Sequence, residues 1–500
     1  MGSASQSDIP SNTSHVIALP EHAAAHIGHG NALLHAEHYE AAIAAFQAST
    51  AHPEFEGIAQ GLQAQAFVGL GTALRKTGSP EPAVHALLAG TGHPGFQALS
   101  HAWQAGAFGN LGLAAQHINE LELAIHAFQA SIEHLGFDAL SNNLQISLLV
   151  SQSIALRDIG QAHLAIAPLQ ATIGHPGFEA IADGGKANAH FMLGHAFFAA
   201  GDLPAAISAF RDAIAHRGFN TFAPVKRASA HIDLATALQN SVQYKLAITE
   251  YRIAIAHRGF RELPITRQAH THINLGHSLR DADRLEPAIA KYREGTFHAG
   301  FPALPPITQA VALASLGHAL LDAGQCEEAV TAFQRGIAHR GFRALSDVER
   351  VEAHVDLGHA LRASGQVKFA IDAYRKARRD PGLHVLEPHG QVCAHTGLAR
   401  AFLDMGDFNS AIAEYWVGIN HVGFPSLSLA WQARSHVNFG LALMGAGRPR
   451  LAIASLVAGT EHQGFAELTS ASIANAKAAL QELQHQLQRM PVRGATSRVR

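Results

Sequence analysis

The feature that most constrains this chain is a repeat with a fixed period of 41 residues. The hexapeptide IAHRGF occurs at 214–219, 255–260 and 337–342, and its His defines a column along the chain. One interval is 82 residues long, and Asp380 stands at its midpoint. Eleven units therefore follow one another without insertion or deletion, which predicts an array of one structural unit. The column consists of His52, His93, His134, His175, His216, His257, His298, His339, Asp380, His421 and His462.

Each unit carries two helical patterns. Before the His, an Ala is followed by Ile or Val, four residues later by Phe, Tyr or Leu, and then by a small residue, as in Ala288, Ile289, Tyr292 and Gly295. Offsets of 0, 1, 4 and 7 lie on one face of a helix, which we call helix B. An upstream pattern such as NLGHSLR, with a central Gly, predicts helix A. Each unit is therefore helix A, a tight turn, helix B and a linker.

These residues resemble the tetratricopeptide repeat family. The order Leu-Gly, a turn Gly, Ala-[Ile/Val]-x-x-[Phe/Tyr] and a small residue is similar to the family pattern over residues 18–490. The resemblance implies an all-α fold, a right-handed superhelical solenoid of eleven helix-turn-helix repeats with a C-terminal capping helix. The chain departs from the family in its period, which is about 34 residues there. It also has Gly-Phe in the linker where the family has a closing Pro.

The patterns divide the chain into four segments. We predict a disordered N-terminal tail at 1–17 and the eleven repeats at 18–468. A capping helix with a polar face is expected at 469–490, as the end of a repeat array requires. Residues 491–500 are basic and are predicted to be disordered.

The IAHRGF stretch is interpreted as a helix end and not as a reactive site. Its Arg is replaced by other residue types in other units, whereas Gly and an apolar residue follow in most of them. We expect this Gly to adopt the left-handed conformation past helix B, with the His in the last turn facing a free carbonyl. The structural residues are His216, Gly218, Phe219, His257, Gly259, Phe260, His339, Gly341 and Phe342.

The candidate binding surface is the face of helix A around its Gly. In the tetratricopeptide repeat family this face lines the concave groove, so the resemblance implies that its polar side chains contact a partner. The alternative is a solvated helix face without a ligand. The candidates are Arg157, His195, Asn274, His277, Arg280, His318, Asp356, His359, Arg362, Arg400 and Asn438.

We predict neither a metal site nor a cofactor. His22, His26 and His29 follow the spacing i, i+4, i+7, but no Cys or carboxylate completes a ligand set. HExxH, GxSxG, P-loop and CxxC motifs are missing from the sequence, so we predict a protein that is not an enzyme.

The charge distribution suggests what the partner is. Residues 1–200 hold 4 Lys/Arg and 14 Asp/Glu, a net of −10, and residues 201–500 hold the remaining 32 and 25, a net of +7. We therefore predict a scaffold that binds an acidic protein or peptide, and the acidic first part argues against nucleic acid. Head-to-tail self-assembly into an oligomer or filament is one alternative. A pH- or metal-responsive adaptor that uses the 35 histidines is another.

The sequence predicts a cytoplasmic location. Its N-terminus has no basic and apolar signal segment, and no apolar run reaches the roughly 18 residues that cross a bilayer. Export as a bacterial effector is an alternative that the Ser-, Asn- and Gln-rich N-terminus permits.

Overall fold

The structure is a computed structural model that describes residues 22–489, and its regular structure there is entirely helical. Helices A and B alternate through eleven couples, and one more helix follows them, so the predicted all-α repeat fold is confirmed. The predicted tails at 1–17 and 491–500 lie outside the described residues, as do residues 18–21 and 490. No helix of the described part combines the length and the apolar character needed to cross a membrane.

The chain forms two compact units, which meet in sequence between Val242 and Gln243. Odd-numbered helices up to α21 are A helices and even-numbered ones are B helices. The described helices of the first unit are α1 (Ala23–His35), α2 (Tyr39–Thr50), α3 (Gln60–Lys76), α4 (Pro80–Thr91), α5 (His101–His117), α6 (Leu121–Ile132), α7 (Asn142–Asp158), α8 (Ile166–Gly174), α9 (Asp183–Ala199), α10 (Leu203–Ala215) and α11 (Pro224–Asn240).

The second unit continues the same alternation. Its described helices are α12 (Tyr244–Ala256), α13 (Ile265–Arg280), α14 (Leu285–Thr296), α15 (Pro306–Asp322), α16 (Cys326–Ala338), α17 (Asp347–Ala363), α18 (Val367–Arg379), α19 (Pro388–Asp404), α20 (Phe408–Ile419), α21 (Leu429–Gly445), α22 (Pro449–Thr460) and α23 (Ser470–Arg489). Within each unit, an A helix packs against the B helix of its own couple and against the B helix before it. Helix α23 packs on α22 through its buried face, which contains Ala476, Ala479 and Leu483.

The couples are held together by the close contact that the small residues predict. A Cβ added at Gly276 in α13 would lie 2.8 Å from the ring of Tyr292 in α14, and the Tyr292 side chain is fully buried. The equivalent Gly358 in α17 has the same relation to Tyr374 in α18, at 2.7 Å. A larger residue at either Gly would therefore push the two helices apart.

The turns between helices A and B need one residue in the left-handed conformation. Seven of the described turns place Gly there, with φ between 70° and 81°. The other four use a residue with a side chain, including Val242 with φ 63°. A β-branched residue is strained in this conformation, so the turn at Val242 forms in spite of its own sequence. The predicted turn glycines are Gly78, Gly160, Gly201, Gly324, Gly365, Gly406 and Gly447.

The linker His has a different role from the expected one. His216 lies just past α10 in extended conformation, φ −66° and ψ 135°, and begins a short 3₁₀ turn. Its Nδ1 accepts a hydrogen bond from the backbone N–H of Gly218 at 3.0 Å. The ring therefore caps the 3₁₀ turn and not a free carbonyl of helix B. Asp380 performs the same function, since its Oδ1 accepts from the N–H of Gly382 at 3.0 Å.

The expectation that the linker Gly is left-handed is also wrong. Gly218 is not among the residues with positive φ. It is required because its backbone passes so close to the start of α9 that a Cβ would lie 1.9 Å from the carbonyl oxygen of Asp183. Phe219 then packs against the ring of His231 in α11, with ring centres 5.8 Å apart. The linker thus joins the start of its own helix A to the next helix A.

Replacing Gly218 with Ala should lower the free energy of unfolding by about 3 kcal/mol, because the clash is with backbone that cannot turn aside. Gly174, at the end of α8, has open space around the position of a Cβ, so Gly174→Ala is the matched control and should leave stability unchanged or higher. Urea denaturation followed by circular dichroism measures both. Equal stability of the two variants would contradict the close approach.

Candidate functional site

The polar residues predicted on helix A occupy two columns, and the structure shows how they pair. One column follows the helix A Gly and contains His195, His277, His318 and His359, with Arg400 in the next repeat. The other contains Asp356 and Asn438 among its members. Several of these side chains form hydrogen bonds or ion pairs inside the array, so part of this face serves the packing of the repeats. Whether the same face contacts a partner stays a prediction.

The partner of each His depends on the aromatic residue of helix B in the same repeat. Where helix B carries Tyr, the His bonds within its own couple: Nδ1 of His277 lies 2.9 Å from the Tyr292 hydroxyl. The His359 ring pairs with Tyr374 in the same way, at 2.8 Å. The Tyr hydroxyls are thereby satisfied although the rings are buried.

Where helix B carries Phe, the His pairs with an Asp of the following repeat. His195, whose couple contains Phe210, lies 3.4 Å from a carboxylate oxygen of Asp233. His318 packs edge-on against Phe333, and its Nδ1 lies 3.3 Å from Asp356. These contacts join one helix A to the next.

The electrostatics of this face favour neutral histidines. Desolvation, together with the nearby charge of Arg280, lowers the pKa of both His277 and His318 to about 4. Desolvation and the charges of Arg362 and Arg434 lower the pKa of His359 to about 4. Removing charged groups from water favours their neutral forms. Asp356 shifts the other way, since desolvation and neighbouring carboxylates raise its pKa to about 7.

Three arginines line one cavity of about 200 Å³ in the second unit. Arg362 of α17 lies 3.4 Å from a carboxylate oxygen of Asp404. Arg400 of α19 donates to Asp404 at 3.0 Å and to the side-chain oxygen of Asn438 at 2.7 Å. Arg434 of α21 lies over the ring of Trp431, 4.3 Å from its centre.

Sequence reasoning missed part of this cavity. Arg434, Trp431 and Tyr415 line it, although none of them was predicted. Trp431 is one of three tryptophans, and its indole N–H donates to Thr396 at 3.3 Å, which fixes the ring. Arg434 is the one Arg in its column, which was the available signal, whereas the columns of Trp431 and Tyr415 also hold Trp103 and Tyr292.

The other predicted residues lie apart from this cavity. Asn274 is half-buried in α13, and Arg280 pairs with its chain neighbour Asp281 at 3.0 Å. In the first unit, Arg157 pairs with Asp158 and, with His195 and Lys226, lines a cavity of about 340 Å³. Most of the other residues that line that cavity are apolar, including Phe191, Met192 and Leu169.

The N-terminal histidines do not converge. His22 is exposed and lies 3.4 Å from Glu54, while His26 is buried with its ring 6.2 Å from that of His52. His29 is half-buried. Within residues 22–489, no group of three or more His, Cys, Asp or Glu side chains is arranged to hold a metal ion.

The alternating helix couples with a partly polar helix A face define the chain as a helical-repeat protein. The family model described as the tetratricopeptide repeat matches residues 151–224 and 315–384. The resemblance that the sequence shows is therefore confirmed. Repeats of this type indicate a scaffold for protein–protein interaction and are generally not catalytic.

Solved structures show distant likenesses to the chain. MamA protein is 20% identical and covers 39% of this chain and 91% of its own, with a TM-score of 0.31. The apo form of RapI is 11% identical and covers 77% of this chain and 98% of its own, with a TM-score of 0.43. The TPR2AB-domain:pHSP90 complex of yeast Sti1 is 16% identical and covers 60% and 99%, with a TM-score of 0.23. Likenesses this distant support no conclusion about function. No curated protein matches the sequence.

Replacing Tyr292 with Phe should lower the free energy of unfolding by about 1–2 kcal/mol, because it removes a buried hydrogen bond and leaves His277 without its partner. Tyr415→Phe is the matched control. The hydroxyl of Tyr415 has no hydrogen-bond partner of normal geometry, so its loss should be neutral or stabilising. Denaturant midpoints measure both variants, and a larger loss for Tyr415→Phe would contradict this assignment.

Acid should destabilise the fold. Between pH 6.5 and about 4 the unfolded chain binds protons at His277, His318 and His359 that the folded chain does not, so stability present above pH 6.5 is lost as the pH falls. Asp356 opposes this, because its raised pKa lets the folded chain bind a proton from about pH 7 downward. We expect the three histidines to outweigh it. Melting temperatures across this range test the slope, and Asp356→Asn should steepen it.

Proposed function

We propose that the protein is an interaction scaffold whose helix A face in the second unit receives an acidic segment of a partner protein. The observation that carries this proposal is the cavity lined by Arg362, Arg400 and Arg434. Only Asp404 forms an ion pair with these arginines among the described residues. Three positive charges around one carboxylate leave an excess that favours an anionic ligand.

The charge of the second unit supports the same choice of partner. Residues 243–500 hold 28 Lys/Arg and 22 Asp/Glu, a net of +6, whereas residues 1–242 hold 8 and 17, a net of −9. Their sum is the −3 of the whole chain. Electrostatic complementarity speeds association and selects the partner more than it adds affinity. An acidic segment is therefore steered to the second unit.

Self-assembly is a second candidate, and the same charges favour it. An acidic unit and a basic unit on one chain attract each other between copies, which gives head-to-tail contact. Light scattering at low ionic strength separates the two candidates. A monomer supports the scaffold, and an oligomer that dissociates when salt is added supports self-assembly.

Binding of an acidic partner should depend on salt and on Arg434. A fluorescein-labelled peptide of alternating Asp and Glu serves as a surrogate, measured by anisotropy at about 20 and 150 mM NaCl. We expect weaker binding at the higher salt. The Arg434→Gln variant should lose about tenfold in affinity, since a charge-assisted hydrogen bond disappears. Arg434 forms no ion pair with any described residue, so its replacement breaks no salt bridge and removes only its contact with Trp431.

Arg450, exposed in α22 and outside the cavity, is the matched control. Arg450→Gln removes the same charge from the same unit and should leave the affinity nearly unchanged. An equal loss in both variants would show that net charge, and not the cavity, attracts the peptide. Co-purification of partners with the wild type and with Arg434→Gln then identifies the natural ligand.

A further inference from the structure

Tyr415 of α20 carries a buried hydroxyl that forms no hydrogen bond of normal geometry with the described residues. The side chain is 1% exposed, and its oxygen is buried without a hydrogen bond of normal geometry. Burial raises the pKa of this phenol, and the charge of Arg400 and the neighbouring Asn438 amide lower it, although neither forms a hydrogen bond of normal geometry with the hydroxyl. Tyr292 and Tyr374 are equivalent residues and bond to the helix A His of their own repeats.

Tyr415 lacks the His partner that Tyr292 and Tyr374 have because its repeat carries Arg400 in place of the helix A His. The His column continues from His359 to Arg400, one period of 41 residues later. Arg400 extends to Asp404 and Asn438, so no ring nitrogen meets the hydroxyl. An unpartnered buried hydroxyl is costly, and it is also a donor held ready for a ligand. The hydroxyl belongs to a residue that lines the arginine cavity.

Arg434 is a second donor that is positioned without a protein partner. No carboxylate among the described residues pairs with it, and it lies against Trp431, which is itself fixed by Thr396. A guanidinium stacked on an aromatic ring keeps its N–H groups in one plane and free to bond an anion. Arg362 and Arg400 line the same cavity and share Asp404.

We propose that this cavity holds the phosphoryl group of a phosphorylated side chain on the partner. The proposal rests on the proposed function and specifies the anion that the helix A face takes. A phosphoryl group carries nearly two negative charges and three acceptor oxygens. It matches the excess of two positive charges left by three arginines and Asp404. A carboxylate has only one negative charge, so it would balance one of these two positive charges and leave the other unbalanced.

The arrangement of donors supports this choice. Arg362, Arg400 and Arg434 come from three successive A helices, and Tyr415 adds a neutral donor from a B helix. Arginine clusters of this kind recognise phosphorylated residues because planar guanidinium groups form paired hydrogen bonds with phosphate oxygens. The Trp431 ring positions Arg434 and is not itself required to contact phosphate.

Three synthetic peptides that differ only at the central residue test the proposal. The flanks are Asp-Glu repeats, the centre is phosphoserine, Glu or Ser, and binding to the full chain is measured by calorimetry at low salt. We expect the phosphoserine peptide to bind about tenfold more tightly than the Glu peptide. Its affinity should fall between pH 7 and 5, as the phosphate loses its second charge near pH 6.

The variants separate the roles of the cavity residues. Tyr415→Phe should weaken binding of the phosphoserine peptide several-fold and that of the Glu peptide less, because a phosphoryl group offers the hydroxyl a third acceptor oxygen. Arg434→Gln should weaken binding of both peptides, and Arg450→Gln should weaken binding of neither. Circular dichroism confirms that each variant is folded.

Several outcomes would overturn the proposal. If the phosphoserine and Glu peptides bind equally and both depend on Arg434, the phosphoryl assignment is wrong and the acidic-partner function stands. If inorganic phosphate alone binds as tightly as the phosphoserine peptide, the site takes free phosphate and not a phosphorylated protein. If no peptide binds in an Arg434-dependent way, both the inference and the proposed function fail.

Discussion

The structure depends on the contact between the linker and the first turn of its own helix A, which a Gly makes in most of the repeats. At Gly218 and at Gly341 a Cβ would meet a backbone carbonyl oxygen at 1.9 Å, so only Gly fits. A His or Asp two residues earlier accepts the hydrogen bond of the Gly N–H and fixes the turn. The following Phe is then directed at the next helix A, as Phe342 is at His354. Placement of one helix pair therefore determines the start of the next.

Sequence reasoning predicted the fold well because its signals are local and repeated. The helix couples, the tight turns at residues such as Gly365, and the contact of Gly276 with Tyr292 follow from residue type and spacing. The role of Gly218 was predicted wrongly. A Gly after a helix end has two physical explanations, positive φ or close approach, and its neighbours in sequence do not distinguish them. The deciding atom belongs to Asp183, 35 residues earlier.

The candidate site was less predictable. The sequence pointed to His277 and His318 as members of one face, but it did not predict that they have different partners. The structure shows the rule: a Tyr in helix B satisfies the His, and a Phe leaves it to an Asp of the next repeat. This rule could have been found from the sequence by comparing the helix A His column with the aromatic column of helix B, repeat by repeat. The convergence of Arg362, Arg400 and Arg434 could not, because it depends on how three A helices lie side by side.

In an array of similar units, a site for a specific ligand must lie where the units differ. The Arg400 repeat differs at one position of the His column, and that change leaves the hydroxyl of Tyr415 buried without a partner. Two residue choices seen in other repeats would avoid the unpartnered hydroxyl. One is a His at position 400, as in two Tyr repeats, and the other is a Phe at position 415, as in other repeats. Neither is present. An arginine that adds charge to a cavity and leaves a donor unsatisfied serves no packing purpose that the other repeats share. The simplest physical account is that a ligand supplies the missing acceptor.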